Sequence, residues 1–296
     1  METQFKRRIA MVTEPSAFLL EDDLKGRADE VLSGWALEIL EETEDHYKAV
    51  THYGYPGWIR KEQVKEIPCG RLSLRAEHGD TCIITGAAVD VLSEPRVQGE
   101  ILETLPRGAF VEPTGLSDAT YAKVVTAAGN HGYVPQICLA RRKDNDHYLM
   151  VSDEEREGIF FEQTGLKQSE EIIRDQVTAN AKKYLGTQYR WAGKTPQGID
   201  CSGMVFMSYF QAGIMIFRDA KIRPEYPVKE ITREELKPGD PIYFPGHVAM
   251  YLGEGKFIHS TSHRAACGVV INSMNPEDAD FRGDLLETVT AYGSIF

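Results

Sequence analysis

The sequence predicts a multidomain protein in which two small all-β barrels precede an α+β domain. At 296 residues the chain is too long for one small domain. Its first half consists of short runs of alternating apolar and polar residues separated by Gly and Pro, and a similar run recurs about 75 residues later. Its second half changes to helical periodicity followed by strands, which is typical of an α+β domain.

The first half supplies both predicted barrels, over residues 1–70 and 71–143. Two short segments of the first barrel match segments of the second: Tyr47–Val50 matches Tyr121–Val124, and Gly57–Ile59 matches Gly132–Val134. Two copies of one barrel are too few for a solenoid. The alternative is a chance match between two β-rich segments.

A charged segment with little apolar pattern follows, and we predict a linker region over 144–168. The α+β domain then covers 169–296. Its first helix has Ser169 as a predicted N-cap and Gly186 as its predicted end. One apolar face is predicted for this helix, consisting of Ile172, Ile173, Val177, Ala181 and Leu185. A second helix is predicted from Cys201 to Ala212, and four strands follow it.

Composition narrows the range of partners. The chain is 42% hydrophobic and 26% charged, with a formal charge of −12 and no basic stripe. Binding to nucleic acid needs clustered Lys and Arg, so nucleic acid is not expected as a partner. The acidic balance is compatible with a substrate that carries a free amine.

The sequence predicts a cytoplasmic protein without disulfides, metal or cofactor. The N-terminal segment has no apolar run of signal-peptide type, and no window resembles a membrane-spanning helix, so no membrane association is expected. The cysteines are odd in number and widely spaced, without CxxC or HxxxH patterns. They are Cys69, Cys82, Cys138, Cys201 and Cys267.

Cys201 is the candidate nucleophile. Asp200 is a good N-cap residue, which places Cys201 in the first turn of the second helix. The free N–H groups and the positive end of the helix dipole favour a thiolate there, so we expect the pKa of the thiol to be lowered. The alternative is that Cys201 is a small buried hydrophobic residue, as most free cysteines are.

Two histidines can converge on this cysteine. His247 begins one predicted strand and His259 lies in the next, and a three-residue loop over 253–255 would bring Ala249 opposite His259. Side chains alternate along a strand, so His247 and His259 would then share one face as diagonal neighbours. A two-residue loop would break this parity. A nucleophile needs a base, and the base needs an orienting group, so the pair favours catalysis over a structural role.

Four motifs occur in order between 186 and 260: GTQYRWAGKTPQGIDCSGMVF, LKPGDPIYF, GHVAMYLG and FIHS. In order and spacing, 169–296 resembles the NlpC family of papain-like cysteine peptidases, which cleave bacterial cell-wall peptides. The resemblance implies that Cys201 is the nucleophile, His247 the general base and His259 the residue that orients the base. It also places Tyr189 at the oxyanion, with the backbone N–H of Cys201 as the second donor.

The two barrels resemble the bacterial SH3-like domains that are fused to this peptidase in enzymes of murein-peptide recycling. GYPGWI, at 54–59, is the most recognisable segment. The resemblance implies that the first SH3-like domain covers the cleft and holds the free amine of an L-Ala-γ-D-Glu unit, with Tyr55 and Glu30 in that role. The alternatives are that Tyr55 is a core aromatic of the barrel and that Glu30 is simply solvated.

The resemblance assigns four further substrate contacts. Asp219 falls at the position of a carboxylate that binds the same amine, and Trp191 would form a wall of the pocket. Asp200 and Ser202 would contact the γ-glutamyl unit. Two positions depart from the family pattern: Ala192 replaces a common glycine, and Phe217 replaces a common proline.

The sequence therefore predicts a cysteine endopeptidase that hydrolyses the γ-D-glutamyl-L-diamino acid bond of free murein peptides. It would release L-Ala-γ-D-Glu, and its partner would be a small murein peptide, with no obligate protein partner. One alternative is a cell-wall-binding protein with weak or no catalysis. Another is an amidase or acyltransferase that uses the same Cys-His pair, and Asp219 argues against it because that carboxylate suits an amine-bearing substrate.

Overall fold

A computed structural model of the chain describes residues 7–68, 70–78, 81–116, 120–142 and 145–296. The chain divides into two compact units, Met1–Arg156 and Glu157–Phe296. Within the described ranges, no helix has both the length and the apolar character needed to cross a bilayer. Cys138, Cys201 and Cys267 are free thiols, and Cys69 lies outside the described residues.

The first barrel is a seven-stranded antiparallel sheet with the order β3-β2-β6-β5-β4-β1-β7. Its strands are β1 (Arg8–Val12), β2 (Ser16–Leu20), β3 (Arg27–Leu32), β4 (Ala36–Glu42), β5 (His46–Thr51), β6 (Pro56–Arg60) and β7 (Val64–Ile67). A 3₁₀ turn, Lys61–Gln63, joins the last two strands.

The second barrel follows helix α1 (Gly70–His78) and has the order β10-β9-β13-β12-β11-β8-β14. Its strands are β8 (Thr81–Ile84), β9 (Ala88–Leu92), β10 (Ile101–Pro106), β11 (Phe110–Leu116), β12 (Tyr121–Val125), β13 (His131–Pro135) and β14 (Leu139–Arg142). A 3₁₀ turn, Gln136–Cys138, again precedes the last strand. Each strand takes the place of the strand seven before it, so the predicted duplication is confirmed.

The two barrels contact each other through the turn between β3 and β4. The indole N–H of Trp35 donates to the carbonyl oxygen of Gly108 at 2.9 Å, and the backbone N–H of Phe110 donates to Ser33 at 2.8 Å. Gly34 lies between these bonds with φ +80°, and a Cβ atom there would lie 2.5 Å from the carbonyl oxygen of Phe110. Only glycine allows both this backbone conformation and this close approach.

The segment predicted as a linker region contains short helical turns with buried apolar residues. They are α2 (His147–Met150) and two 3₁₀ turns, Ile159–Phe161 and Thr164–Lys167. Leu149 packs into a buried cluster with Ile9 and Leu72 of the first unit. The ring of Phe160 stacks on Tyr226 of the second unit at 4.6 Å between centroids. Each end of the segment is therefore held by the unit to which it belongs.

The second unit consists of two main helices and a six-stranded antiparallel sheet with the order β17-β22-β18-β19-β20-β21. Its elements are α3 (Glu170–Lys182), β15 (Lys194–Thr195), β16 (Gly198–Ile199), α4 (Cys201–Gln211), β17 (Lys229–Ile231), β18 (Pro241–Phe244), β19 (His247–Gly253), β20 (Lys256–Thr261), β21 (Gly268–Ser273), α5 (Gly283–Leu286) and β22 (Ala291–Ser294), with a 3₁₀ turn at Arg233–Glu235. Helix α4 packs against α3, β19 and β20. The predicted fold class, two all-β barrels followed by an α+β domain, is confirmed.

Helix α3 begins where predicted, because the Ser169 side chain accepts from the backbone N–H of Ile172. Its buried face is narrower than predicted: Ile173 is buried, but Ile172 is 48% exposed and Leu185 is 47% exposed. Ile172 is one helical step, about 100°, from Ile173 and so faces away from α4. Leu185 lies beyond the observed end of the helix at Lys182.

The hairpin of β19 and β20 has a two-residue loop, Glu254 and Gly255, so the predicted three-residue loop is wrong. Both loop residues have positive φ, 52° and 69°, as a tight hairpin turn requires. The register nevertheless aligns Met250 with Ile258, and the pairing shifts at Leu252, between Tyr251 and Gly253. This bulge adds the residue that the shorter loop lacks, so the predicted parity is kept.

Candidate active site

Cys201 is the first residue of α4. Asp200 caps the helix, and its Oδ1 accepts the backbone N–H of Gly203 at 2.5 Å. The cysteine is only 6% exposed. At this position its backbone N–H has no carbonyl partner within the helix and can face a ligand.

The predicted lowering of the thiol pKa is wrong for the structure as it stands. Burial, followed by the negative charge of Asp200, raises the pKa of Cys201 to about 11. The backbone N–H groups of Val248 and Ser202 and the charge of Arg218 act in the opposite direction. The helix-start effect is therefore present, but it is smaller than the cost of a buried thiolate. The resting nucleophile is a neutral thiol.

His247 and His259 form a hydrogen-bonded pair. The distance from Nε2 of His247 to Nδ1 of His259 is 2.8 Å, and the ring centroids are 5.0 Å apart. Burial lowers the pKa of His247 to about 3 and that of His259 to about 4. Both rings are therefore neutral at pH 7, so His247 can accept a proton.

Asn272 extends the histidine pair to a row of three hydrogen-bonded side chains. It was not predicted from the sequence. Its Oδ1 lies 2.9 Å from Nε2 of His259, and its Nδ2 donates to the carbonyl oxygen of Asp280 at 3.0 Å. Strand pairing aligns His259 with Val270, so Asn272 is the diagonal neighbour on the same face. The same parity argument could have found Asn272 if the register of β20 and β21 had been known.

Arg218 is the second residue that was not predicted. Its guanidinium donates to both carboxylate oxygens of Asp200, at 3.1 and 3.0 Å, and to Oγ of Ser202 at 2.7 Å. Arg218 is 2% exposed, so this is a buried bidentate ion pair at the start of α4. The available signal was Asp200 itself, because a buried carboxylate needs a partner. The predicted contact of Asp200 and Ser202 with substrate stays a prediction.

Tyr189 is half-buried near the thiol. A parallel bridge joins it to Ile199, just before Asp200 and Cys201. Burial and the nearby Cys201 raise the pKa of the Tyr189 hydroxyl, so it remains a neutral donor at pH 7. Its predicted role at the oxyanion is compatible with this placement and stays a prediction.

Trp191 and Asp219 lie in two loops of the same unit. Trp191 is 62% exposed, which suits a residue predicted to form a wall of an open pocket. Asp219 is half-buried and directly follows Arg218. Beside Trp191, Ala192 has φ 62°, a left-handed conformation that glycine adopts at no cost. Phe217 packs against Tyr226, with ring centroids 5.3 Å apart.

Tyr55 and Glu30 belong to the first unit. Tyr55 is half-buried, and its backbone N–H donates to Oγ1 of Thr51 at 2.9 Å. Glu30 lies in β3 and is fully buried, so the alternative that it is simply solvated is wrong. Their predicted role at the substrate amine stays a prediction.

The arrangement supports nucleophilic attack on an amide carbonyl. The backbone N–H of Val248, the residue after His247, donates to the thiol of Cys201, so the thiol lies at the start of β19. A neutral imidazole at this position can take the proton from sulfur as the carbon–sulfur bond forms. The resulting imidazolium is stabilised by the hydrogen bond to His259. The protonated His247 then returns its proton to the leaving amine, and water hydrolyses the thioester.

Comparisons with known proteins agree with this geometry. The sequence profile of the NlpC/P60 family matches residues 186–279. The chain is 34% identical over 283 residues to dipeptidyl-peptidase 6 from Lysinibacillus sphaericus. This alignment covers 93% of this chain and 95% of the relative. It is also 38% identical over 109 residues to the γ-D-glutamyl-L-lysine dipeptidyl-peptidase of Bacillus cereus. That alignment covers 34% of this chain and 32% of the relative.

A solved structure shares the fold. The crystal structure of an NlpC/P60 family protein from Bacillus cereus aligns with a TM-score of 0.72 at 19% identity, covering 96% of this chain and 98% of the other. The profile match falls on the segment that carries Cys201, His247 and His259, and the similarity to dipeptidyl-peptidase 6 extends over nearly the whole chain. The chain therefore belongs to the NlpC/P60 family of cysteine peptidases.

Proposed function

We propose that the protein hydrolyses the amide bond between γ-D-glutamate and an L-diamino acid in free murein peptides. It releases L-Ala-γ-D-Glu from peptides with a free N-terminal L-Ala. The observation that carries the proposal is the buried thiol at the start of α4 together with the neutral histidine pair. The names of the two relatives, a dipeptidyl-peptidase and a γ-D-glutamyl-L-lysine dipeptidyl-peptidase, support the bond and the product.

Recognition of a free amine is the specific part of the proposal. Asp219 is the predicted carboxylate partner, with Tyr55 and Glu30 as further candidates, and the net charge of −12 favours a cationic group. A peptide whose L-Ala amine is blocked cannot make the charge-assisted hydrogen bond to this carboxylate. Losing a hydrogen bond to a charged group costs about 1.5–3 kcal/mol, which corresponds to a loss of about 10–150-fold in rate.

We also propose that the enzyme acts in the cytoplasm in the recycling of murein peptides. Specificity for a free N-terminal amine suits liberated fragments and excludes peptides still amide-linked to the glycan. A murein fragment, with its D-residue and γ-linkage, is then the partner.

The test is incubation of the purified protein with L-Ala-γ-D-Glu-diaminopimelate, the lysine analogue and the N-acetylated form of each. Mass spectrometry should detect L-Ala-γ-D-Glu and the free diamino acid, and C201A should produce neither. Equal rates on free and N-acetylated peptides would contradict the recognition of the amine.

The same experiment separates the alternative functions. Retention on purified cell wall without hydrolysis of any peptide would indicate a wall-binding protein. Transfer of the acyl group to an added amine, in preference to water, would indicate an acyltransferase. In the D219N variant we expect KM for the free peptide to rise, with a much smaller change for the N-acetylated peptide.

A further inference from the structure

In the row formed by His247, His259 and Asn272, each hydrogen bond has a defined donor and acceptor. The assignment starts from the backbone carbonyl that Asn272 contacts. The carbonyl oxygen of Asp280 can only accept, so the group of Asn272 that faces it at 3.0 Å is the amide nitrogen. The amide oxygen of Asn272 therefore faces Nε2 of His259 at 2.9 Å. This contact fixes the orientation of the amide without reference to the histidines.

The orientation of the amide determines which ring nitrogen of His259 carries the proton. An amide oxygen only accepts, so Nε2 of His259 carries the proton and donates to Asn272. A neutral imidazole carries one proton, which leaves Nδ1 of His259 as an acceptor. Nε2 of His247, 2.8 Å away, must then be the donor in the bond between the rings.

The same reasoning leaves Nδ1 of His247 unprotonated. A neutral ring that donates from Nε2 has its lone pair on Nδ1, which is the nitrogen required to accept a proton from a thiol. We propose that Asn272 is a positioning residue that sets the tautomer of His259 and, through it, that of His247, so that Nδ1 of His247 is the base for Cys201. The inference rests on the proposed function only in naming the reaction that this base serves.

An asparagine suits this position better than an aspartate would. A carboxylate next to His259 favours the charged ring and raises the pKa of His259. A doubly protonated His259 would donate from Nδ1 to Nε2 of His247, and the proton of His247 would move to Nδ1. The base would then be protonated at the ring nitrogen that is not bonded to His259. The neutral amide fixes the tautomer without this penalty.

Among the described residues, the pKa values of the two histidines respond to the nearby groups Arg282, Asp284 and His263. Arg282 and Asp284 form their own ion pair, with 2.7 Å between Nη2 and the carboxylate. These three groups are common to the wild type and the variants below. A ratio of variant to wild type at each pH therefore isolates the effect of position 272.

The first test is N272D, with N275D as the matched control. Asn275 is exposed in the turn after β21, so N275D adds the same charge without facing His259. For N272D we expect kcat/KM relative to wild type to be reduced about 10–100-fold at pH 6 and to recover towards pH 9, as His259 loses its extra proton. The control should stay near wild type throughout. A loss in N272D that is the same at every pH would overturn the proposal, because a merely structural role predicts that result.

The second test reads the tautomers directly and needs no substrate. In protein with ¹⁵N-labelled histidine at pH 7, His259 should show a protonated Nε2 and an unprotonated Nδ1, and so should His247; H259Q and H247Q assign the signals. In N272L the Nε2 proton of His259 loses its acceptor, and the signals of both rings should change. Protonation of wild-type His259 on Nδ1 would overturn the proposal. This result is independent of which peptide the enzyme cleaves, so failure here is distinguishable from failure of the proposed function.

Discussion

Two buried polar networks meet at Cys201, and they differ in charge. On the helix side, Arg218 holds Asp200 and Ser202 in a bidentate ion pair. On the sheet side, His247, His259 and Asn272 form a row of neutral groups, one from each of three neighbouring strands. The ionic network holds the start of the helix in place through the paired charges of Arg218 and Asp200. The neutral network can take up and return a proton, because burial keeps its rings uncharged.

The largest effect is expected at Cys201, where the two networks meet. C201A should abolish turnover and leave the fold intact, since the thiol is the nucleophile and its methyl replacement fits the same space. C201S should also be inactive, because a hydroxyl is far less acidic than a thiol. Peptide hydrolysis and circular dichroism are the measurements. Cleavage by C201A at a rate near wild type would mean that neither network serves a cysteine peptidase.

The second effect separates the two histidines within the neutral network. H247A should be nearly as damaging as C201A, because thiol and base act as one unit. H259A should cost less, about 10²–10⁴-fold in kcat, as expected for an orienting group. The rates of the two variants on one peptide provide the check. A larger loss in H259A than in H247A would reverse the assigned roles.

The third effect tests the ionic network through stability. R218M leaves the Asp200 carboxylate buried without its cation, and we expect the free energy of unfolding to fall by about 3–5 kcal/mol. Restoring neutrality with D200N in the same chain should recover part of the loss. By contrast, N272L in the neutral network should cost about 1–3 kcal/mol. Urea unfolding monitored by fluorescence compares them. If N272L destabilised the protein more than R218M, the contrast between the networks would be wrong.

The fourth effect is a pH dependence of the free energy of unfolding, which arises from the histidines of the neutral network. Burial lowers the pKa of His247 and His259 in the folded protein, whereas unfolded histidine titrates near pH 6.5. Below pH 6.5 these histidines bind protons in the unfolded chain but stay neutral in the folded protein. The free energy of unfolding is therefore highest above pH 6.5 and falls as the pH drops. At pH 5 each ring contributes a loss of about 2 kcal/mol.

Unfolding free energies of wild type and H259Q between pH 7.5 and 5 measure this contribution. The decrease should be shallower in H259Q, since one of the two titrating rings is missing. Parallel curves for the two proteins would show that the rings are not held neutral by the fold.

The smallest effect is expected outside both networks, at Ala192. A192G removes the strain of a positive φ but also removes a buried methyl group and adds flexibility to the unfolded chain. These terms oppose each other, so the free energy of unfolding should change by less than about 1 kcal/mol. Calorimetry of the two proteins is sufficient. A change of several kcal/mol would contradict this balance.

Local sequence patterns were sufficient to predict the duplicated barrel. Thr51–Tyr55 and Thr126–Asn130 form the same turn, closed by bonds of 3.0 Å from each threonine N–H to the carbonyl four residues later. The threonine hydroxyl accepts in both turns, and Gly54 and Gly129 both have positive φ. The turn depends on these residues alone, so it recurs although the residues between them differ.

The sequence by itself also determined the start of α4 at Cys201, through its N-cap Asp200, and the shared face of His247 and His259. Both follow from rules that act over a few residues, capping and the two-residue period of a strand. The bulge at Leu252 preserved that parity even though the loop length was wrong.

Only the tertiary structure decided the pKa of the thiol, the partner of Asp200 and the third member of the histidine row. The helix start favours a thiolate, but the elements packed over Cys201 remove water and reverse the shift. Arg218 reaches Asp200 across 18 residues of sequence, and Asn272 meets His259 across a six-residue loop, 262–267, that does not set the strand register. Periodicity specifies which face a side chain occupies. What covers that face, and how much water it excludes, depends on contacts between distant segments, which carry no local pattern.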